Sequence, residues 1–202
     1  MRLADAEHER HPWVISRIAP DFELLDAWAL PVEGGAGDFP AVVRTLTSMD
    51  PSHSPSRASS FLFAVRFKLG EWFGWDAGTN MLPIPGCTEK SLRDRLPPEL
   101  VGTADATEIH GAMRDAAGGF VPIFLADDEW AAEISNNTVH GVLQLGWVAQ
   151  PGGGYRAQMG VYVKPRGLLG TAYVRFIGPF RHLVVYPALM RQVERAWAAR
   201  SA

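Results

Sequence analysis

The chain has 202 residues, 47% of them apolar and 20% charged, with a formal net charge of −3. That length and composition describe one soluble globular domain able to bury its own core, and the charge excludes a strongly basic nucleic-acid module. One cysteine, Cys87, excludes an intrachain disulfide and a thiolate zinc cluster.

Residues 1–20 read as a polar arm, with no apolar core for a secretory signal, and His8 and His11 are expected to be solvated in it. Phe22 to Leu30 reads as a first strand, closed by Pro31. Asp38 is a plausible N-cap for a helix over Pro40–Met49. Ser56 to about Phe73 shows a broad apolar helical face. Trp75–Gly86 reads as loop, Thr88–Leu96 as a short helix stopped by Pro97-Pro98, and Gly102–Gly119 as loop or frayed helix.

From Phe120 the pattern changes to strands. Phe120–Leu125, Glu129–Ser135, Thr138–Val148 and Tyr155–Lys164 are separated by turns at Ala126–Asp128, Asn136-Asn137 and Gln150–Gly154. Short strands joined by Asn and Gly turns predict an antiparallel meander. Val139, Leu143, Leu145 and Trp147 share one face with Met159 and Val161 opposite them. His140, Gln144, Arg156 and Gln158 lie on the other. A sheet covered on one side is expected, since covering the second face would bury these polar groups.

Gly167–Ala199 predicts a long final helix with the apolar stripe Leu169, Tyr173, Phe176, Phe180, Leu183, Pro187, Met190 and Trp197. Pro179 lacks a backbone donor and predicts a bend or break within about a turn. No stretch reads as a membrane span, because Arg175, Arg181 and His182 interrupt the least polar one. With no signal and no disulfide pair, a cytoplasmic monomer or weak dimer is expected.

Catalytic motifs are missing: no nucleophile elbow, P-loop, dinucleotide fingerprint or zinc-protease motif. The six histidines are scattered, and no metal site or cofactor is expected. Asp127-Asp128-Glu129 reads as a solvated turn, because consecutive strand side chains alternate faces. Glu133 and His140 are the candidates for acid–base work. The charge is uneven: from Tyr155 onward eight basic residues face one carboxylate, Glu194. Either the two halves offset each other by packing together, which is the simpler reading, or the second half carries a basic binding face.

Three segments carry a resemblance: Asp127–Ile134, Thr138–Leu143, and Gly167–Tyr173 leading into Pro179–Pro187. They resemble the bacterial family catalogued as domain of unknown function 2867, and the order of elements is similar to the helix-grip arrangement of the START-like (SRPBCC) superfamily. The resemblance implies a single α+β domain over 1–202, with a curved antiparallel sheet packed against a long, proline-interrupted C-terminal helix. It also implies a cavity between the two for an apolar or amphipathic molecule. Trp147, Met159 and Tyr173, with Leu143, Leu145 and Phe176, are the expected lining. A cyclase or dehydratase using the same cavity, or an interaction protein with a filled core, are the alternatives.

Overall fold

The computed structural model describes residues 1–49, 89–105 and 120–200. The expected helix at Ser56–Phe73, the loop before Cys87 and most of Gly102–Gly119 lie outside them.

Two short helices, α1 (Asp5–His8) and α2 (Val14–Ile18), precede strand β1 (Glu23–Gly34). Helix α3 (Phe39–Thr47) follows a 3-10 turn whose Gly35 N–H donates to Asp38. Two further 3-10 turns, Leu92–Arg95 and Pro98–Leu100, come before β2 (Val121–Leu125), β3 (Glu129–Ser135), β4 (Val139–Ala149) and β5 (Tyr155–Pro165). The strands form one open antiparallel sheet in the order β1-β5-β4-β3-β2. The meander is as the turn residues predict. The fold is α+β.

β1 runs on through Pro31 to Gly34, past the expected stop. It is an edge strand, and its register shifts between Ala29 and Glu33, so Pro31 sits where no regular ladder donor is required. Pro122 does the same on the opposite edge strand, β2, beside a shift between Pro122 and Phe124.

After β5 the chain forms α4 (Gly167–Phe180), a π-helical turn (Arg181–Val185) and α5 (Tyr186–Arg200). Gly170 seats the start of α4, because a Cβ there would collide with the Thr138 carbonyl. Among the described residues, no helix is long and apolar enough to cross a membrane.

One sheet face packs Trp130, Leu145, Trp147 and Met159 against Phe39, Val42 and Val43 of α3 and Tyr186 and Val193 of α5. The other face is covered too, which corrects the one-sided sheet expected above. Trp13, Ile15 and Ile18 from the N-terminal arm, with Leu92, close over Ala131, Val142 and Tyr162. His8, His140 and Gln144 are fully buried. The penalty for burying the two histidines is met by pairing. His8 Nδ1 lies 3.0 Å from Gln158 Oε1, and its Nε2 lies 3.1 Å from the Tyr162 hydroxyl. Burial pushes the His8 imidazole below its ordinary range and the Tyr162 phenol above it. A neutral ring therefore donates to Gln158 and accepts from Tyr162.

Glu129 is likewise no member of a solvated turn. It is buried and accepts the N–H groups of Val14 (2.5 Å) and Ile15 (3.1 Å) at the start of α2. Burial raises its carboxyl to about 7 against the pull of those two donors.

Candidate functional site

The turn between β3 and β4 is built by Asn136, whose Oδ1 accepts from Thr138 N, Thr138 Oγ1 and Val139 N at 2.8–2.9 Å. This is the local geometry that favours Asn at such positions. Arg166, just after β5, locks the turn from outside: its guanidinium donates to the Asn136 carbonyl, to Val139 O (3.0 Å) and to Ser135 Oγ (3.0 Å). The remaining edge of the fork holds Glu89, at 2.5 and 3.1 Å. One side chain thus ties three segments together.

Beneath it lie the two acid–base candidates. His140 and Glu133 are diagonal neighbours on the antiparallel β3–β4 pair. His140 Nε2 is 2.8 Å from Glu133 Oε2, and Nδ1 is 3.2 Å from Glu89 Oε1. Glu133 also accepts from the Ser91 hydroxyl and from Leu92 N (3.1 Å), fixing the 3-10 turn over the sheet. Outside this buried chain, Lys164 bridges Glu89 (3.1 Å) and Asp21 (2.8 Å), and Arg95 holds Asp21 at 2.6 Å. Burial alone would raise the Glu89 carboxyl, but hydrogen bonds from Lys164, Arg166 and His140 outweigh it and hold it below its ordinary range. Arg95 does the same more strongly for Asp21.

Glu89, Arg95, Lys164 and Arg166 of this network border a cleft of about 730 Å³. Glu89, Lys90, Asp94 and Arg95 form one wall, and Lys164, Arg166 and Gly167 the other. Among the described lining residues, four cations stand against two carboxylates. An ammonium has three N–H donors, and Lys164 commits two of them to carboxylates.

The expected apolar lining divides. Trp147, Met159 and Leu145 are buried in the core shared with α3 and α5, and Leu143 packs against them. Phe176 is 78% exposed, and Tyr173 is half-buried on α4. Leu168 (90% exposed), Leu169 and Leu183 also face outward, so much of the stripe expected to be buried on this helix is on its surface. The buried face of α4 carries Gly170 and Val174 instead.

Sequence reasoning missed Glu89, Lys164 and Arg166. It also missed a second cluster, centred on Asp26, which is fully buried in β1. A carboxylate in the middle of an apolar strand run was the available signal, since a charge there must be paired. Among the described residues, no group of three or more His, Cys, Asp or Glu side chains is placed to hold a metal ion.

A family model described as a protein of unknown function (DUF2867) matches residues 18–188. The chain belongs to the DUF2867 family. No curated protein and no solved structure matches it. The DUF2867 match takes in all five strands, Glu89, Glu133, His140 and the Asp26 cluster. It leaves out His8 and Trp13, which cover the second sheet face.

Proposed function

We propose that this DUF2867 protein binds a small amphipathic anion, its charged head in the cleft and its apolar part against Leu168 and Leu169. The carrying observation is the cleft itself. Its volume lies within the roughly 300–1,000 Å³ of small-molecule sites, and its lining cations exceed its carboxylates by two. Among the described residues, Lys164 keeps one N–H for a ligand and exposed Lys90 makes no ion pair. Leu168 and Leu169 follow Gly167 of the lining directly and are exposed.

This reading keeps the class of ligand that a START-like, helix-grip fold would take, and moves it from the sheet–helix interface to the cleft. Where that lining was expected, Trp147, Leu145, Met159, Tyr186 and Val193 form one buried apolar cluster.

The test begins with native mass spectrometry of freshly purified protein, looking for a co-purifying acid. A titration with octanoate and with octyltrimethylammonium follows, read as thermal stabilisation. Octanoate should stabilise the wild type, the cation should not, and Lys90→Glu combined with Lys164→Gln should abolish the response. Equal responses to both probes, or none to octanoate, would reject the reading.

A further inference from the structure

The interface between the sheet and the C-terminal helices has a polar centre that neither the cleft nor the core explains. Asp26 stands on the same sheet face as Trp28. Its Oδ2 accepts from the Tyr186 hydroxyl (2.8 Å) and faces the Arg181 guanidinium (3.0 Å), and its Oδ1 lies 2.5 Å from His182 Nε2. Two departures from regular structure meet here. β1 shifts register between Leu24 and Asp26, and the helix widens into a π turn at Arg181–Val185. A π turn aligns residues five apart, and the α-helix after it aligns residues four apart. Arg181 and His182 are thereby both brought to the carboxylate that Tyr186 binds. Bulges and π turns are over-represented beside functional sites.

Three features of the cluster exceed what holding the carboxylate requires. Arg181 already balances the charge of Asp26, and Tyr186 gives it a buried hydrogen bond, so His182 is surplus to neutralisation. The bond from Nε2–H to Asp26 leaves the lone pair of neutral His182 on Nδ1, and the side chain is 32% exposed. Two buried N–H donors, Trp28 Nε1 and Arg181 Nε, have no acceptor among the described residues. Buried donors without partners call for a water, ion or ligand acceptor. With Asp26 and Arg181 cancelling, a neutral oxygen, of water or of a ligand carbonyl, meets that need without adding charge.

We infer that His182, oriented by Asp26, is the general base of a site for neutral carbonyl compounds, and that it promotes hydrolysis of carboxylic esters. Water bound to His182 Nδ1 attacks the carbonyl carbon and gives its proton to the ring. The carbonyl electron pair moves onto oxygen, where Arg181 Nε–H and Trp28 Nε1–H receive it. Collapse expels the alkoxide, which takes the proton back from His182, so ester and water become acid and alcohol and the enzyme is unchanged. Asp26 is a positioning residue: it fixes the tautomer and stabilises the imidazolium as it forms. This inference does not rest on the cleft reading.

The test is hydrolysis of p-nitrophenyl acetate by the full chain, followed from pH 5 to 9. The wild type should exceed buffer and free imidazole, with a rate that rises with pH over this range. His182→Gln should remove about a hundredfold or more, in line with the contribution of a general base. His11→Gln, which alters another partly exposed ring, should change little. Asp26→Asn should lower the rate and distort the pH profile. Because Asp26 is buried, its variant is read only if its thermal transition is retained; otherwise His182→Gln decides. A solvent deuterium isotope effect of about two or more is expected for proton transfer in the rate-limiting step. A wild-type rate equal to that of His182→Gln, or an isotope effect near unity, would overturn the inference.

Discussion

The Trp13 ring occupies the space above Gly146 where a side chain would stand: a Cβ built on Gly146 falls within the ring's van der Waals envelope. Trp13 also donates its indole N–H to the His8 carbonyl at 2.8 Å. The arm is therefore keyed to the sheet by a ring fitted to a glycine. Gly146→Ala should cost about 1–3 kcal/mol, the usual range for overpacking a core. Urea denaturation measures it, and Trp13→Ala combined with Gly146→Ala should lose less than the sum of the two single changes.

Glu129 should make stability depend on pH. Folded, its carboxyl titrates at about 7; unfolded, at the ordinary 4.5. Between those values the folded chain holds a proton that the unfolded chain has released, so this group's contribution falls as pH rises from about 4.5 to 7. His8 acts oppositely. Its folded value is lowered, so its contribution rises with pH up to the ordinary 6.5. Glu129→Gln removes only the falling part. The stability of the variant relative to wild type should therefore improve by about 3 kcal/mol between pH 4.5 and 7.5, measured by denaturant titration at each pH.

Removing the imidazole of His140 leaves two carboxylates, Glu133 and Glu89, facing a void. Breaking a buried pair in this way costs about 3–5 kcal/mol, and His140→Ala should lose that much. Glu133→Gln keeps an acceptor for Ser91 and Leu92 and should lose less. A comparison of the two by thermal denaturation checks the order.

Arg166→Lys should not be conservative. A point-charge ammonium cannot reach Glu89, Ser135 and two carbonyls together as the planar fork does. Faster amide hydrogen exchange at Thr138 and Val139 is expected, with the rest of the sheet retaining its protection.

The meander was legible because alternation and turn residues act locally. Asn136 and the positive-φ pair Gly153 and Gly154 sit at the turns, and the register pairs Leu145 with Met159 and Leu143 with Val161, sharing a face as alternation requires. Cover on the second face was not legible, since Trp13 and Leu92 come from short segments with no periodicity to read. The stripe on the last helix failed for a different reason. A 3.6-residue period carried across Arg181–Val185 loses register at the π turn, and α4 meets the sheet through Gly170 rather than through Leu169 or Phe176. Of the site, Glu133 and His140 were visible as strand residues. Their third partner, Glu89, lies 44 residues before Glu133 in the chain, and no local pattern connects them. The charge asymmetry is offset in part by packing. Arg156, Lys164, Arg166, Arg181 and Arg200 each meet a carboxylate from the first half of the chain.

β1 is paired along its inner edge with β5, although Glu23 and its partner Val163 are 140 residues apart in the chain. On a ribosome adding roughly 5–20 residues per second, the first strand waits about 7–28 s for its neighbour to be made. Throughout that interval β1 lacks its β5 ladder, and Asp26 has yet to meet Arg181, His182 or Tyr186. Biogenesis of this protein is thus a problem of storage: its earliest strand is useful last, and whatever shields nascent chains in the cell must hold it until the last strand is made.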